Sequence, residues 1–322
     1  MAKDDDAYIS AAMAALESWD ITIQTAEVHS RSENVVIRLT DRTQAVYALR
    51  IHRPGYNTID ELKAEVIWET ALNRDGIRTP PHVLTRDGAA YVEVSLHNRP
   101  HQVGMIRWIP GRILGEVIQA GDAEEQFQCF SALGGLIARL PEHTSSWRAD
   151  KPLARRAWNA DGLMGEYPLW GKFWEAPFLN SKEAREFYEA RGRIHEQLRR
   201  LTSDSASYGL IHADLHPRNV IVHKEELQAI DFDDAGYGWH VYDLAVALRE
   251  FVDHERYVQF RDALLEGYLA RRSLPDVEAL LPLFLCIRGL ISIGWAAARP
   301  EIVDSKKMKP LVAAMIDSLK LL

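Results

Sequence analysis

The chain has 322 residues, 47% hydrophobic and 26% charged, which is enough for two lobes that each bury a core. A formal net charge of −8 argues against a nucleic-acid partner, which needs a net basic face. The two cysteines, Cys129 and Cys286, sit in apolar helical patterns and read as buried free thiols of a reducing compartment. The opening residues 1–6 are acidic and lack the basic-then-apolar layout of a signal peptide. The most apolar stretch, 277–298, contains Glu278, Pro282 and Arg288 and reads as a buried helix pair, not a membrane span. The expectation is a cytoplasmic protein with no membrane partner, its oligomeric state undetermined.

Residues 7–19 form a short amphipathic helix. Residues 22–27 and 34–39 have strand patterns, separated by a polar hairpin loop around Ser30 to Asn34. Residues 45–52 make a third strand. A helix then runs from Thr58, its cap, to about residue 73, with acidic residues in the first turn. Two short strands, 83–84 and 89–94, lie between turns at Pro80-Pro81 and Asp87-Gly88, and 102–108 is the last strand of the set. These strands and the inserted helix predict a small antiparallel-sheet lobe. Ile109-Pro110-Gly111 breaks the pattern, so the lobes are expected at 1–108 and 109–322. The second lobe is mainly helical, with helices at 124–140, 183–201, 241–251, 255–271 and 310–321 and an irregular, Trp-rich stretch over 143–180.

Within the second lobe, Ile211-His212-Ala213-Asp214-Leu215-His216-Pro217-Arg218-Asn219 is bounded by β-branched runs and echoed by Ile230-Asp231-Phe232-Asp233. The pattern reads as strand, polar loop, strand, turn. A carboxylate at Asp214 is placed to take or orient a hydroxyl proton. Asn219, five residues on, and Asp231, at the next strand end, offer oxygen to a hard cation that shares its shell with phosphates. His212 and His216 are four apart, but Pro217 and the intervening Asp214 spoil a zinc helix pair.

His-x-Asp-Leu-x-x-x-Asn followed by Asp-Phe resembles the catalytic-loop and metal-loop signature of the protein-kinase superfamily. The spelling His212-Ala-Asp-Leu-His-Pro-Arg-Asn219, then Ile230-Asp-Phe-Asp-Asp234, is similar to the aminoglycoside phosphotransferase/choline kinase branch. The resemblance spans nearly the whole chain. It implies an α+β, bilobal protein kinase-like fold with a small antiparallel-sheet N-lobe and a larger helical C-lobe. It also implies an ATP- and Mg2+-dependent kinase that phosphorylates a hydroxyl of a small-molecule acceptor. Rival readings are a stress-response type protein Ser/Thr kinase and an idle nucleotide-binding regulator, the latter disfavoured by intact Asp214, Asn219 and Asp231.

Carried over by position, the resemblance makes Asp214 the catalytic base, Asn219 and Asp231 the metal ligands, and His216 a neighbour of the transferred group. Asp243 matches a buried Asp that holds the catalytic-loop backbone. Arg50 stands where the family has its phosphate-binding Lys, with Glu65 as its partner on the following helix. Ser32 and Asn34 replace a glycine-rich loop over the phosphates. Adenine is expected against the strand end, hydrogen-bonded to backbone near Arg107, Trp108 and Ile109. Asp233 stands where the family's metal loop has Gly. Asp233, Asp234, Trp170 and Trp174, with Trp158, Arg288 and Trp295, are the acceptor-side candidates, suited to an ammonium-bearing alcohol. The tryptophans read equally well as filling beneath a long loop. Amino alcohols, homoserine-like amino acids and aminoglycosides all remain as acceptors.

Overall fold

The computed structural model describes residues 2–149 and 151–321. The chain separates into two compact units. The first holds Met1–Gly111 and gathers in Ala149–Ala154 and Ile221–Asp233; the second holds the remainder.

In the first unit, helix α1 (Ala2–Leu16) precedes strands β1 (Ile23–Arg31), β2 (Val35–Asp41) and β3 (Val46–Ile51). Helix α2 (Ile59–Arg74) and strands β4 (Tyr91–Leu96) and β5 (Arg99–Arg107) follow. The sheet order is β1-β2-β3-β5-β4, antiparallel throughout. Side chains alternate across a strand. Tyr47, Leu49 and Ile51 of β3 therefore join Ala12, Ala15, Leu16 and Trp19 in one core, and Arg50 projects to the other face. Gly104 lies opposite Arg50 on β5, and a Cβ there would come 2.6 Å from the ring of Tyr91, so only glycine lets that ring cover the strand. Helix α2 starts at a capping box: the Thr58 hydroxyl accepts from Glu61 N–H, and the Glu61 carboxylate accepts from Thr58 N–H at 2.9 Å. Residues 83–84, expected as a strand, form none: Val83 N–H donates to Met105 O at 2.8 Å beside an isolated bridge at His82, and Val83 O accepts from Trp19 Nε1 at 2.7 Å. Pro81 just before them has no N–H to extend a ladder.

The second unit is mainly helical. Helix α3 (Leu114–Ala120) leads into α4 (Ala123–Ser146), which runs six residues beyond the expected end. Pro141 removes one backbone bond inside it. The Thr144 and Ser145 hydroxyls donate back to Leu140 and Pro141 carbonyls at 3.2 and 2.6 Å and keep the last turn closed. After α5 (Ala160–Met164) and α6 (Ser181–Arg199), strand Tyr208–Ile211 pairs antiparallel with Gly236–Trp239, which pairs parallel with Ala157–Trp158. Helix α7 (His240–Leu248) is buried along its whole length and packs on α9 (Val277–Ala297). α8 (Tyr257–Leu269) and α10 (Lys309–Leu319) complete the unit.

Residues 277–297 form one helix, not the expected pair. Pro282 falls in its second turn, and the helix continues past it. α9 is long and apolar enough to cross a membrane by length and composition, and 67% of its apolar window is buried within the fold. Helices α4 and α8 meet at glycines: a Cβ on Gly134 would come 2.0 Å from Leu264 O, and one on Gly267 1.9 Å from Ser131 O. Gly267→Ala is expected to force the helices apart at a cost of about 1–3 kcal/mol. The check is a lower urea midpoint at unchanged m-value.

Candidate active site

In the second unit the loop after Tyr208–Ile211 is fixed from three sides. Ala213 takes a left-handed backbone, φ +65°, which is costly for a residue with a Cβ. Asp243, at the start of α7, holds it by accepting from the N–H groups of His212 (2.9 Å) and Ala213 (2.7 Å). Burial pushes the Asp243 carboxyl up to about 7, against the pull of those two N–H donors.

Asp214 has partners on both oxygens. Oδ1 accepts from Arg288 Nη2 at 2.5 Å; Oδ2 accepts from Asn219 Nδ2 at 3.0 Å and faces His216 Nε2 at 3.4 Å. Burial raises this carboxyl, but His216, Arg288 and their hydrogen bonds outweigh it and hold the group well below the usual carboxylate range. His216 caps the 3₁₀ turn Pro217–Asn219, its Nδ1 accepting from Arg218 N–H. The proton of a neutral His216 is thereby assigned to Nε2, the nitrogen facing Asp214. Asn219 Nδ2 also donates to Asp214 O at 2.9 Å, so both amide hydrogens are committed and the amide oxygen points elsewhere.

Beside Asp214 lies an aromatic wall. The Arg288 guanidinium stacks 4.5 Å from the centre of the Trp170 ring. Trp170 meets Trp158 edge-on at 5.5 Å and Trp295 at 6.4 Å. Asp234 Oδ1 accepts from Trp170 Nε1 (3.2 Å) and lies 3.5 Å from Arg156, while Asp234 O accepts from Trp158 Nε1 (2.8 Å).

In the first unit, Arg50 is buried among three carboxylates: Glu65 at 3.2 Å, Asp231 at 2.7 Å and Asp233 at 2.7 Å. Burial lowers the guanidinium and Asp233, Asp231 and Glu65 raise it, with a strong net rise. Asp231, like Ala213, has a left-handed backbone, φ +67°, a conformation Asp tolerates. Its side chain is 46% exposed, against 4% for Asp233. Phe232 between them packs edge-on against Trp68 of α2. His52 stands 3.8 Å from Asp233, too far for a hydrogen bond. Burial pulls its pKa down to about 4, so it is neutral at pH 7 and does not offset Asp233.

A family model, the phosphotransferase enzyme family, matches residues 25–283. The chain belongs to that family. Amicoumacin kinase of Bacillus subtilis is 26% identical over 274 residues, 82% of this chain and 77% of that one. The microcompartment-associated aminopropanol kinase has a TM-score of 0.80 at 27% identity, covering 97% of this chain and 94% of that one. An amicoumacin kinase in complex with AMP-PNP, Ca2+ and Ami has a TM-score of 0.79 at 22% identity, covering 98% and 93%. The fold is the α+β, protein kinase-like fold, and this phosphotransferase takes an alcohol group as acceptor.

The residues expected of such a phosphotransferase are distributed as follows. Asp214, His216 and Asn219 come together on one loop, and Arg50, Glu65 and Asp231 around one guanidinium. Ser32 is exposed in the hairpin turn, its N–H on Asn34 O at 3.1 Å. Asn34 faces inward instead of over a phosphate loop. Its Nδ2 donates to Asp233, and its Oδ1 accepts from Arg53 N–H at 3.2 Å. At the strand end, Arg107 N–H is committed to Pro81 O (2.8 Å) and Trp108 N–H to Val46 O (3.1 Å), leaving Ile109 as the backbone donor there. The Trp108 ring meets His29 edge-on at 4.8 Å.

Asp233 and Asp234, grouped by sequence on the acceptor side, part company. The 3₁₀ turn over Phe232–Asp234 sends Asp233 to Arg50 and Asp234 to Trp170 and Arg156. Trp174 packs against Phe173, Tyr188 and Arg191, away from the Trp170 wall's own partners. The sequence put Arg288 with the acceptor and missed its bond to Asp214. The readable signal was a single guanidinium in the apolar run after Glu278, where a buried charge needs a partner.

Proposed function

We propose that the chain is an ATP- and Mg2+-dependent kinase that phosphorylates a hydroxyl of a small amine-bearing molecule, an amino alcohol or a homoserine-like amino acid. The observation that carries the reading is Asp214, an ionised carboxylate fixed at both oxygens on a strained loop and bordered by Trp170 and Asp234. In this reading Asp214 orients the acceptor hydroxyl and takes its proton. His216 directs an N–H toward the same place. Asn219 offers its amide oxygen, and Asp231 its half-exposed carboxylate, to a hard cation. Such a cation would share its coordination shell with nucleotide phosphates. When bound, that cation neutralises charge on the phosphates. Arg50 supplies the positive charge for phosphate, and its Nη2, now on Asp231 and Asp233, turns to the nucleotide while Glu65 keeps Nη1. Ser32 and the Ile109 N–H are the remaining nucleotide contacts. The Asp234 carboxylate supplies the negative charge that an ammonium group binds, within the aromatic wall of Trp170, Trp158 and Trp295. The aminopropanol kinase among its structural neighbours, named for a small amino alcohol, supports such an acceptor.

The test is ATP consumption over 1-amino-2-propanol, ethanolamine, choline, homoserine, aminoglycosides and sugars, with a protein-only control. Turnover is expected with an amino alcohol or hydroxy amino acid and is expected to stop when EDTA removes the magnesium. Phosphate appearing on the protein itself with no acceptor added, or turnover confined to sugars, would refute the reading.

A further inference from the structure

Arg288 is the only charged residue of α9 after Glu278, and it is 8% exposed. A buried ion pair contributes little net stability over well-packed apolar side chains, so packing alone does not explain a guanidinium here. Its donors go to the reacting loop. Nη2 bonds Asp214 Oδ1 at 2.5 Å, and Nη1 lies 3.3 Å from Ala213 O and 3.4 Å from the Tyr242 hydroxyl. The flat face is backed by Trp170 at 4.5 Å. One side chain therefore grips the carboxylate of Asp214 and the carbonyl of the left-handed Ala213 before it, while Asp243 grips the N–H groups of His212 and Ala213, on the two peptides just ahead. α9 itself is seated tightly. A Cβ on Gly289 would come 2.2 Å from Met315 Sδ, and one on Gly294 2.5 Å from Gly171 O. Glycine contacts thus fix the helix beside Arg288 and about two turns beyond it.

We propose that Arg288 is a positioning residue for phosphoryl transfer: it holds Ala213 in its strained conformation and Asp214 in one rotamer, and so acts on the transfer step and not on nucleotide binding. The proposal rests on the reading of Asp214 as the group that meets the acceptor hydroxyl. Misplacing a reacting group by about 1 Å costs about 100-fold in rate. Arg288→Met fills the same space without donors, and Arg288→Lys keeps the charge but loses the fork.

Two measurements test it. The first is transfer from ATP to 1-amino-2-propanol. Arg288→Met is expected to lower kcat about 10- to 100-fold with the KM for ATP near wild type, and also to lower the melting temperature, because it leaves Asp214 without its buried cation; kcat is therefore read well below that temperature, and Arg288→Lys is expected to regain part of both losses. The second is a crystal structure of Arg288→Met, which needs no acceptor; Asp214 is expected to leave its rotamer and Ala213 to relax. Wild-type kcat in Arg288→Met, or an Asp214 and Ala213 unmoved in its crystal structure, overturns the proposal. If wild-type protein does not use 1-amino-2-propanol, that acceptor falls and the crystallographic arm alone decides about Arg288. If Asp214→Asn turns over normally, the reading of Asp214 fails whatever the Arg288 variants do.

Discussion

Asp214→Asn is expected to lower turnover about 10²- to 10⁴-fold, the usual contribution of a positioned proton acceptor, with nucleotide affinity retained. Asn is the informative substitution because it keeps the shape of Asp214 and one acceptor oxygen for the buried Arg288 while removing the charge that takes the proton. Asp214→Ala strands that guanidinium, and breaking a buried pair costs about 3–5 kcal/mol, so lost activity would be mixed with lost fold. The pH dependence follows from the same pairing. Asp214 is held below the usual carboxylate range by His216 and Arg288 against the opposing effect of burial. Its folded-state affinity for protons is thus lower than that of the unfolded chain. The stability it contributes is present above about pH 4 and is lost as pH falls below that value. Turnover should show no acid limb from Asp214 between pH 5 and 7. An activity loss centred in that window and absent from Asp214→Asn would contradict the assignment. Nucleotide affinity by calorimetry, in the presence of magnesium, separates transfer from binding.

How far the sequence reached depends on the range of each interaction. Arg50 could be read because a strand alternates: its neighbours Leu49 and Ile51 face the core, so Arg50 faces away. The Thr58–Glu61 cap spans three residues and was legible for the same reason. Asp214, Asn219 and His216 fall in one short motif, and the loop folds them onto each other. The failures are long-range or turn-dependent. Asn34 bonds a residue 199 positions away, and no local pattern announces that. Arg288 lies 74 positions from Asp214, in a helix whose apolar run advertised only burial. Asp233 and Asp234 are adjacent, so the sequence treated them as one acidic patch; a single 3₁₀ turn gives them unrelated partners. The helix continues through Pro141, whose ring removes only the one bond to Ile137 O, and a propensity reading that stops a helix at proline does not weigh that the rest of the ladder survives.

Arg50→Met is expected to be strongly destabilising to the first unit. One guanidinium there faces three carboxylates, so the cluster already carries an excess of negative charge. The nearby His52 gives no help, because burial keeps it neutral at pH 7. Removing the guanidinium leaves Glu65 and Asp233, both nearly fully buried, without their cation. The cost is about 3–5 kcal/mol, out of a total that is about 5–15 kcal/mol for most domains. Differential scanning fluorimetry without nucleotide should show the melting temperature falling by about 10 °C, at roughly 2–4 °C per kcal/mol for a domain of this size. Arg50→Lys should fall between the two, since one ammonium on a flexible stem cannot bridge three carboxylates in a fixed fork. The direction of the pH effect is fixed as well. With no cation beside them, the carboxylates bind protons more tightly in the folded variant than in its unfolded chain. The gap between variant and wild type should therefore narrow as pH falls toward about 4. A gap that stays constant from pH 8 to pH 4.5 would mean that the loss came from packing and not from charge.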